Sequence, residues 1–72
     1  MRLYLTFGST YGALRAESLL RGAAISCDIV PKPREIRGAC GLAVRIDVDN
    51  AEPALATLAA AHHSPRQQVT LR

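Results

Sequence analysis

LAVRIDV, residues 42–48, carries Leu42, Val44, Ile46 and Val48 on one side of an extended chain and Ala43, Arg45 and Asp47 on the other. Side chains in a strand alternate faces, so this spacing predicts a strand with one face buried and the other open. RLYLTF, residues 2–7, has the same form, with Leu3, Leu5 and Phe7 opposed to Arg2, Tyr4 and Thr6. ISCDIV, residues 25–30, sets Ile25, Cys27 and Ile29 against Ser26 and Asp28. QVTL, within residues 67–71, supplies a fourth strand with Val69 and Leu71 expected inward.

Helical spacing fills two of the gaps. After Gly8, Ser9 or Thr10 is placed to cap a helix by accepting from a free backbone N–H. Along residues 11–24, Ala13, Ala16, Leu20, Ala23 and Ala24 share one face, flanked by Leu19, and Gly22 is expected to help the helix stop. Asp49 or Asn50 opens a second helix. Pro53 is tolerated there because first-turn N–H groups have no intrahelical partner. Ala51, Leu55, Leu58, Ala59 and His62 form its expected buried stripe, Ser64-Pro65 ends it, and His63 is expected to face solvent. Pro31 and Pro33 end the second strand, leaving residues 31–40 as a loop.

The order β-α-β-β-α-β, with one-sided strands and amphipathic helices, predicts an α+β fold of the ferredoxin-like plan. It is a four-stranded antiparallel sheet with two helices on one face. Residues 1–72 read as a single domain with a thin core of Leu, Ile, Val and Ala. The other sheet face, with Arg2, Tyr4, Thr6, Ser26, Asp28, Arg45, Asp47 and Thr70, is left to solvent or a partner, and a homodimer through it fits so small a core. The architecture serves many functions and names none of them.

The formal charge is +3, with nine basic residues of which Lys32 is the lone lysine. The arginines are scattered, aromatics are 4% of the chain, and this argues against a nucleic-acid interface. No apolar run reaches the roughly 20 residues of a membrane span. No leader is visible, so the expectation is a reducing cytoplasm with free thiols. Two cysteines and adjacent histidines do not make a zinc pattern, so no metal and no cofactor are expected. Without a GxGxxG, a P-loop or a Ser/His/Asp set, a carrier or accessory protein fits better than a stand-alone enzyme.

Cys27 alternates with Ile25 and Ile29 and reads as core, with no arginine expected beside it. Cys40 is different. Gly38 and Gly41 bracket it with unshielded backbone N–H groups, and Arg34 and Arg37 share its loop. Nearby cations favour thiolate over thiol, and the thiolate is the nucleophile. The competing reading is a small buried apolar residue. Glu17 lies at the margin of the first helix's apolar face. It either pairs with Arg21, four residues on, or holds an arginine of the 31–40 loop. Ser9 and Thr10, at a helix start, are capping residues or an anion site.

Taken in order, Ser9-Thr10, Ala13-Leu14, Ala16-Glu17, Leu20, Pro31-x-Pro33-Arg34 and Cys40-Gly41-Leu42-Ala43 resemble a small bacterial family, the selenium/sulfur carrier protein-like proteins. The resemblance covers residues 5–46, and the PxPRxIxxxCG segment is its most specific part. It implies a cytoplasmic domain that accepts and relays sulfur or selenium as a persulfide-type adduct on Cys40, with donor and acceptor proteins as partners. It also departs from better-known sulfur carriers, since no Cys-Pro-x-Pro turn is present. The alternative is a non-enzymatic binding or regulatory module whose arginine loop holds an anionic ligand or partner protein.

Overall fold

The computed structural model describes residues 1–37 and 41–72. The elements run β1 (Arg2–Thr6), α1 (Thr10–Gly22), β2 (Asp28–Pro31), β3 (Leu42–Asp47), a 3₁₀ turn (Val48–Asn50), α2 (Ala51–Ala60) and β4 (Gln67–Leu71). The strands form one antiparallel sheet in the order β2-β3-β1-β4, as the ferredoxin-like plan requires. Leu3 and Leu5 of β1 lie opposite Ile46 and Val44 of β3. These four pack with Ala13, Ala16 and Leu20 of α1 and with Ala54 and Leu58 of α2. Phe7 and Cys27 close the ends of this core.

α1 begins as expected. Ser9 is extended, and its hydroxyl accepts from the Gly12 N–H at 3.0 Å. Gly12 then brings the helix close to the sheet, since a Cβ there would stand 2.9 Å from that of Phe7. The helix end differs from expectation. Gly22 is only the last helical residue, and Ala24 takes the left-handed conformation, at φ 61°. The Ala24 N–H donates to Arg21 O at 3.0 Å and the Ile25 N–H to Leu20 O at 2.9 Å, a Schellman motif. Ile25 is therefore spent on closing the helix, and β2 starts at Asp28 instead of residue 25.

α2 ends the same way. His62 is left-handed at φ 55°, with His62 N–H to Ala59 O at 3.0 Å and His63 N–H to Leu58 O at 2.8 Å. This reversal exchanges the expected places of the two histidines. His62 and Ala59 are exposed, whereas His63 turns in and stacks on Phe7, centroids 5.0 Å apart and 7° from parallel. Its Nε2–H donates to Gly12 O at 2.8 Å, tying the end of α2 to the start of α1. The buried stripe of α2 is accordingly Ala54 and Leu58, with Ala51 and Leu55 half-buried. At its start, Asn50 makes no side-chain cap. Asp47 instead accepts from the Asp49 N–H at 3.0 Å, which curls Val48 out of β3 into the 3₁₀ turn and leaves it exposed.

Register overturns the expected phase of β4. Gln67, Val69 and Leu71 lie opposite Thr6, Tyr4 and Arg2, so they share the face away from the helices. Gln68 and Thr70, opposite Leu5 and Leu3, take the helix side and are exposed. Nor is the helix-free face wholly open. Ala43 and Thr6 point that way, yet are 0% and 5% exposed, and Ile36 in the loop after β2, which reaches Gln67 on this face through the Arg37 carbonyl, is 3% exposed and outside the core under the helices.

A left-handed alanine costs about 1–2 kcal/mol that glycine does not, partly offset by the greater freedom of glycine in the unfolded chain. Ala24→Gly is therefore expected to stabilise the protein by about 0.5–1 kcal/mol, read as a higher denaturation midpoint with an unchanged slope.

Candidate functional site

The loop between β2 and β3 is held at three points. The Lys32 N–H donates to Gly41 O at 2.8 Å, extending the β2–β3 ladder one step past Pro31 and Leu42. A turn follows, with Ile36 N–H to Pro33 O at 3.1 Å, which throws Arg34 and Glu35 outward and Ile36 inward. The side-chain amide of Gln67, reaching from β4 at the far edge of the sheet, donates to the Arg37 carbonyl. The loop thus crosses the sheet from one edge strand to the other. Gly38, Ala39 and Cys40 lie outside the described residues, between the fixed points Arg37 and Gly41.

Arg34 and Arg37 are exposed, as is Gly41, so both guanidiniums are free of the core and reach solvent on the same segment as Cys40. Arg66 joins this end of the molecule. Its N–H donates to Thr6 O at 2.8 Å, and its side chain covers Gly8, where a Cβ would meet Nη1 at 2.8 Å. Thr10, beside the capping Ser9, is an exposed first-turn residue. No acidic residue lies in that first turn, so the partial positive end of α1 is uncompensated by its own side chains. Arg66 and Gln67 were invisible as site residues in the sequence, because only the β1–β4 register brings them under the loop.

Glu17 is not part of this arrangement. It pairs with Arg21 at 3.1 Å in the helical layer, while the loop lies over the opposite face of the sheet. Exposed pairs of this kind contribute only a few tenths of a kcal/mol, about 0.3–0.5.

Cys27 is at the other end of β2 from Gly41 and is 6% exposed. Its thiol points at Glu17 O, 4.0 Å away. An arginine does stand beside it, contrary to the sequence expectation. Arg21 donates to Cys27 O at 3.2 Å. The expectation failed because the Schellman turn folds residue 27 back against the end of α1. Burial raises the thiol pKa above its ordinary value, and Arg21 opposes this only in part. Cys27 borders a groove of about 430 Å³ that opens where β3 runs past the start of β2, between Ser26 and Asn50. The groove mixes Arg2, Arg21 and Arg45 with Asp28 and Asp47, and Arg45 is paired to Asp28 at 3.1 Å. That hydrogen bond raises the already high Arg45 pKa, with Tyr4 adding to it.

Among the described residues there is no group of three or more metal-ligating side chains, and no helix is long and apolar enough to cross a membrane. Residues 2–69 match the family model described as Putative Se/S carrier protein-like, and the chain belongs to that family. No curated protein and no solved structure matches the chain.

The state of Cys27 has two measurable consequences. In the folded protein its alkylation is expected to be slow at neutral pH and to become rapid only on unfolding. Because the folded pKa is the higher one, the unfolded chain releases this proton first as pH rises. The Cys27 contribution to stability is therefore whole below about pH 8.5, the ordinary thiol value, and falls as pH climbs beyond it. Urea titrations of wild type and Cys27→Ala between neutral pH and pH 10 should converge at the alkaline end.

Proposed function

We propose that Cys40 is a chalcogen-accepting thiol, and that the β2–β3 loop exists to present it. Membership in the Se/S carrier-like family supports this reading. The observation that carries it is the fixing of Arg37 and Gly41 on either side of Cys40, by Gln67 and Lys32, while Arg34 and Arg37 keep their charges in solvent. A cationic segment of this kind favours the thiolate. The second cysteine does not compete for the role, since a buried thiol with a raised pKa is a poor nucleophile.

The transfer is an exchange that needs no external oxidant. The Cys40 thiolate attacks the outer sulfur of a donor protein's persulfide. A new S–S bond forms on Cys40, the donor's S–S bond breaks, and the donor leaves as a thiolate. An acceptor nucleophile then takes the outer sulfur, and Cys40 returns to thiolate. Selenium in the outer position follows the same path. Partners of this chemistry are a donor and an acceptor protein, and the reducing conditions it needs agree with a cytoplasmic setting.

Incubation with a persulfide-generating cysteine desulfurase, followed by intact-mass and peptide analysis, tests the proposal. The expected result is one added sulfur on the peptide containing Cys40, lost on reduction. Cys40→Ser should abolish the adduct and Cys27→Ser should keep it. Arg37→Ala should slow loading several-fold without changing the unfolding midpoint. An adduct confined to Cys27, or none on a folded protein, would overturn it.

A further inference from the structure

The helix-free face of the sheet divides into two halves. One carries the loop, whose Arg37 carbonyl is bound by Gln67 opposite Thr6, and there Ala43 and Thr6 are buried. The other consists of the rows Asp28–Arg45–Tyr4–Val69 and Asp47–Arg2–Leu71, each of them exposed or half-buried among the described residues. We propose that this bare half is the interface of a two-fold dimer, with a second copy of the chain as its occupant.

The first reason is the phase of β4. In a lone domain the apolar residues of an edge strand belong under the helices, yet Val69 and Leu71 turn to the helix-free side and flank Tyr4 there. All three are half-buried and form one apolar cluster along the β4 side of the patch. Gln68 and Thr70 take the helix side, where they are exposed. β4, whose alternation contradicts a single buried layer, thus furnishes two of the three residues of this cluster.

The second reason is charge. The patch holds Arg2 and Arg45 against Asp28 and Asp47, two of each sign, in a chain whose formal charge is +3. All of the excess charge therefore lies elsewhere. A strongly acidic or basic partner would meet two like charges on this patch. A second copy meets an equal mixture and keeps the cationic loops apart. Arg45 is already tied to Asp28, while Arg2 has no ion pair among the described residues and is available to a partner's carboxylate.

The third reason is shape. The loop makes a ridge over one half of the face and leaves a step down to the other. A two-fold axis lying in the interface, across the strands, sets each ridge against the bare rows of the other copy. Arg37 and Gly41 belong to the ridge, not the patch, so the dimer does not depend on the thiol chemistry.

A patch this small is below the standard size of stable interfaces, so the dimer should be weak, with a dissociation constant of roughly 10–100 µM. Sedimentation equilibrium of the full chain from about 5 µM to 1 mM, bracketing that range, should show the mass rising from monomer to dimer. Val69→Asp and Leu71→Asp should each weaken association at least about tenfold, as loss of a buried apolar anchor does. Gln68→Asp, on the opposite side of the same strand, should leave it unchanged. Amide shifts of the wild-type chain on dilution should map to Tyr4, Val69 and their neighbours, a readout that needs no variant. A monomer at every concentration overturns the proposal. So does a dimer weakened equally by Gln68→Asp and Val69→Asp, which marks edge-to-edge pairing of β4, or dilution shifts confined to the helices.

Discussion

The burial of Ile36, in the loop that reaches across the helix-free face to Gln67, is the constraint on which the functional end of this molecule depends. A loop carrying a proline, two arginines, a lysine and a glutamate has no reason of composition to lie on a sheet. One isoleucine supplies it, since burying such a side chain is worth about 1.5–3 kcal/mol. Once Ile36 is down, the Arg37 carbonyl falls within reach of Gln67 and the Lys32 N–H meets Gly41 O. Arg34, Glu35 and Arg37 stay exposed. Apolar anchoring and cationic display meet in one loop.

Cys27 lies away from that loop. Cys27 belongs to the helix side of the sheet, covered by α1, its thiol directed at a backbone carbonyl and its ionisation opposed by burial. Arg37, the last described residue before Cys40, is held on the other face through its carbonyl, and Arg34 and Arg37 are exposed. A carrier needs one thiol that reacts and no second one that intercepts the cargo. The proposal for Cys40 rests as much on the inertness of Cys27 as on the arginines of the loop.

The fold was legible where periodicity is long and one-sided. β1 and β3 alternate over five or six residues, and both pair in the register their apolar faces require. Legibility failed where a single residue decides. The left-handed turns at Ala24 and His62 are carried by residues that do not advertise them, and they moved the start of β2 and exchanged the histidines. In β4, five residues with two apolar ones fit either phase, and only pairing with β1 selects between them. At the site, the cap at Ser9, the core position of Cys27 and the Glu17–Arg21 pair follow from local spacing and were readable. The roles of Ile36, Gln67 and Arg66 depend on contacts across thirty residues of chain or on strand register. The one signal for the first was a lone isoleucine in an otherwise polar loop.

If Cys40 is the accepting thiol, the two cysteines of this small protein must differ in acidity. The direct measurement is the alkylation rate of each cysteine as a function of pH, resolved by peptide mass analysis on the folded chain. The account predicts a midpoint for Cys40 below the ordinary thiol value of about 8.5 and one for Cys27 above it. A Cys40 midpoint at or above that value, or a Cys27 that reacts as fast as Cys40, would contradict it.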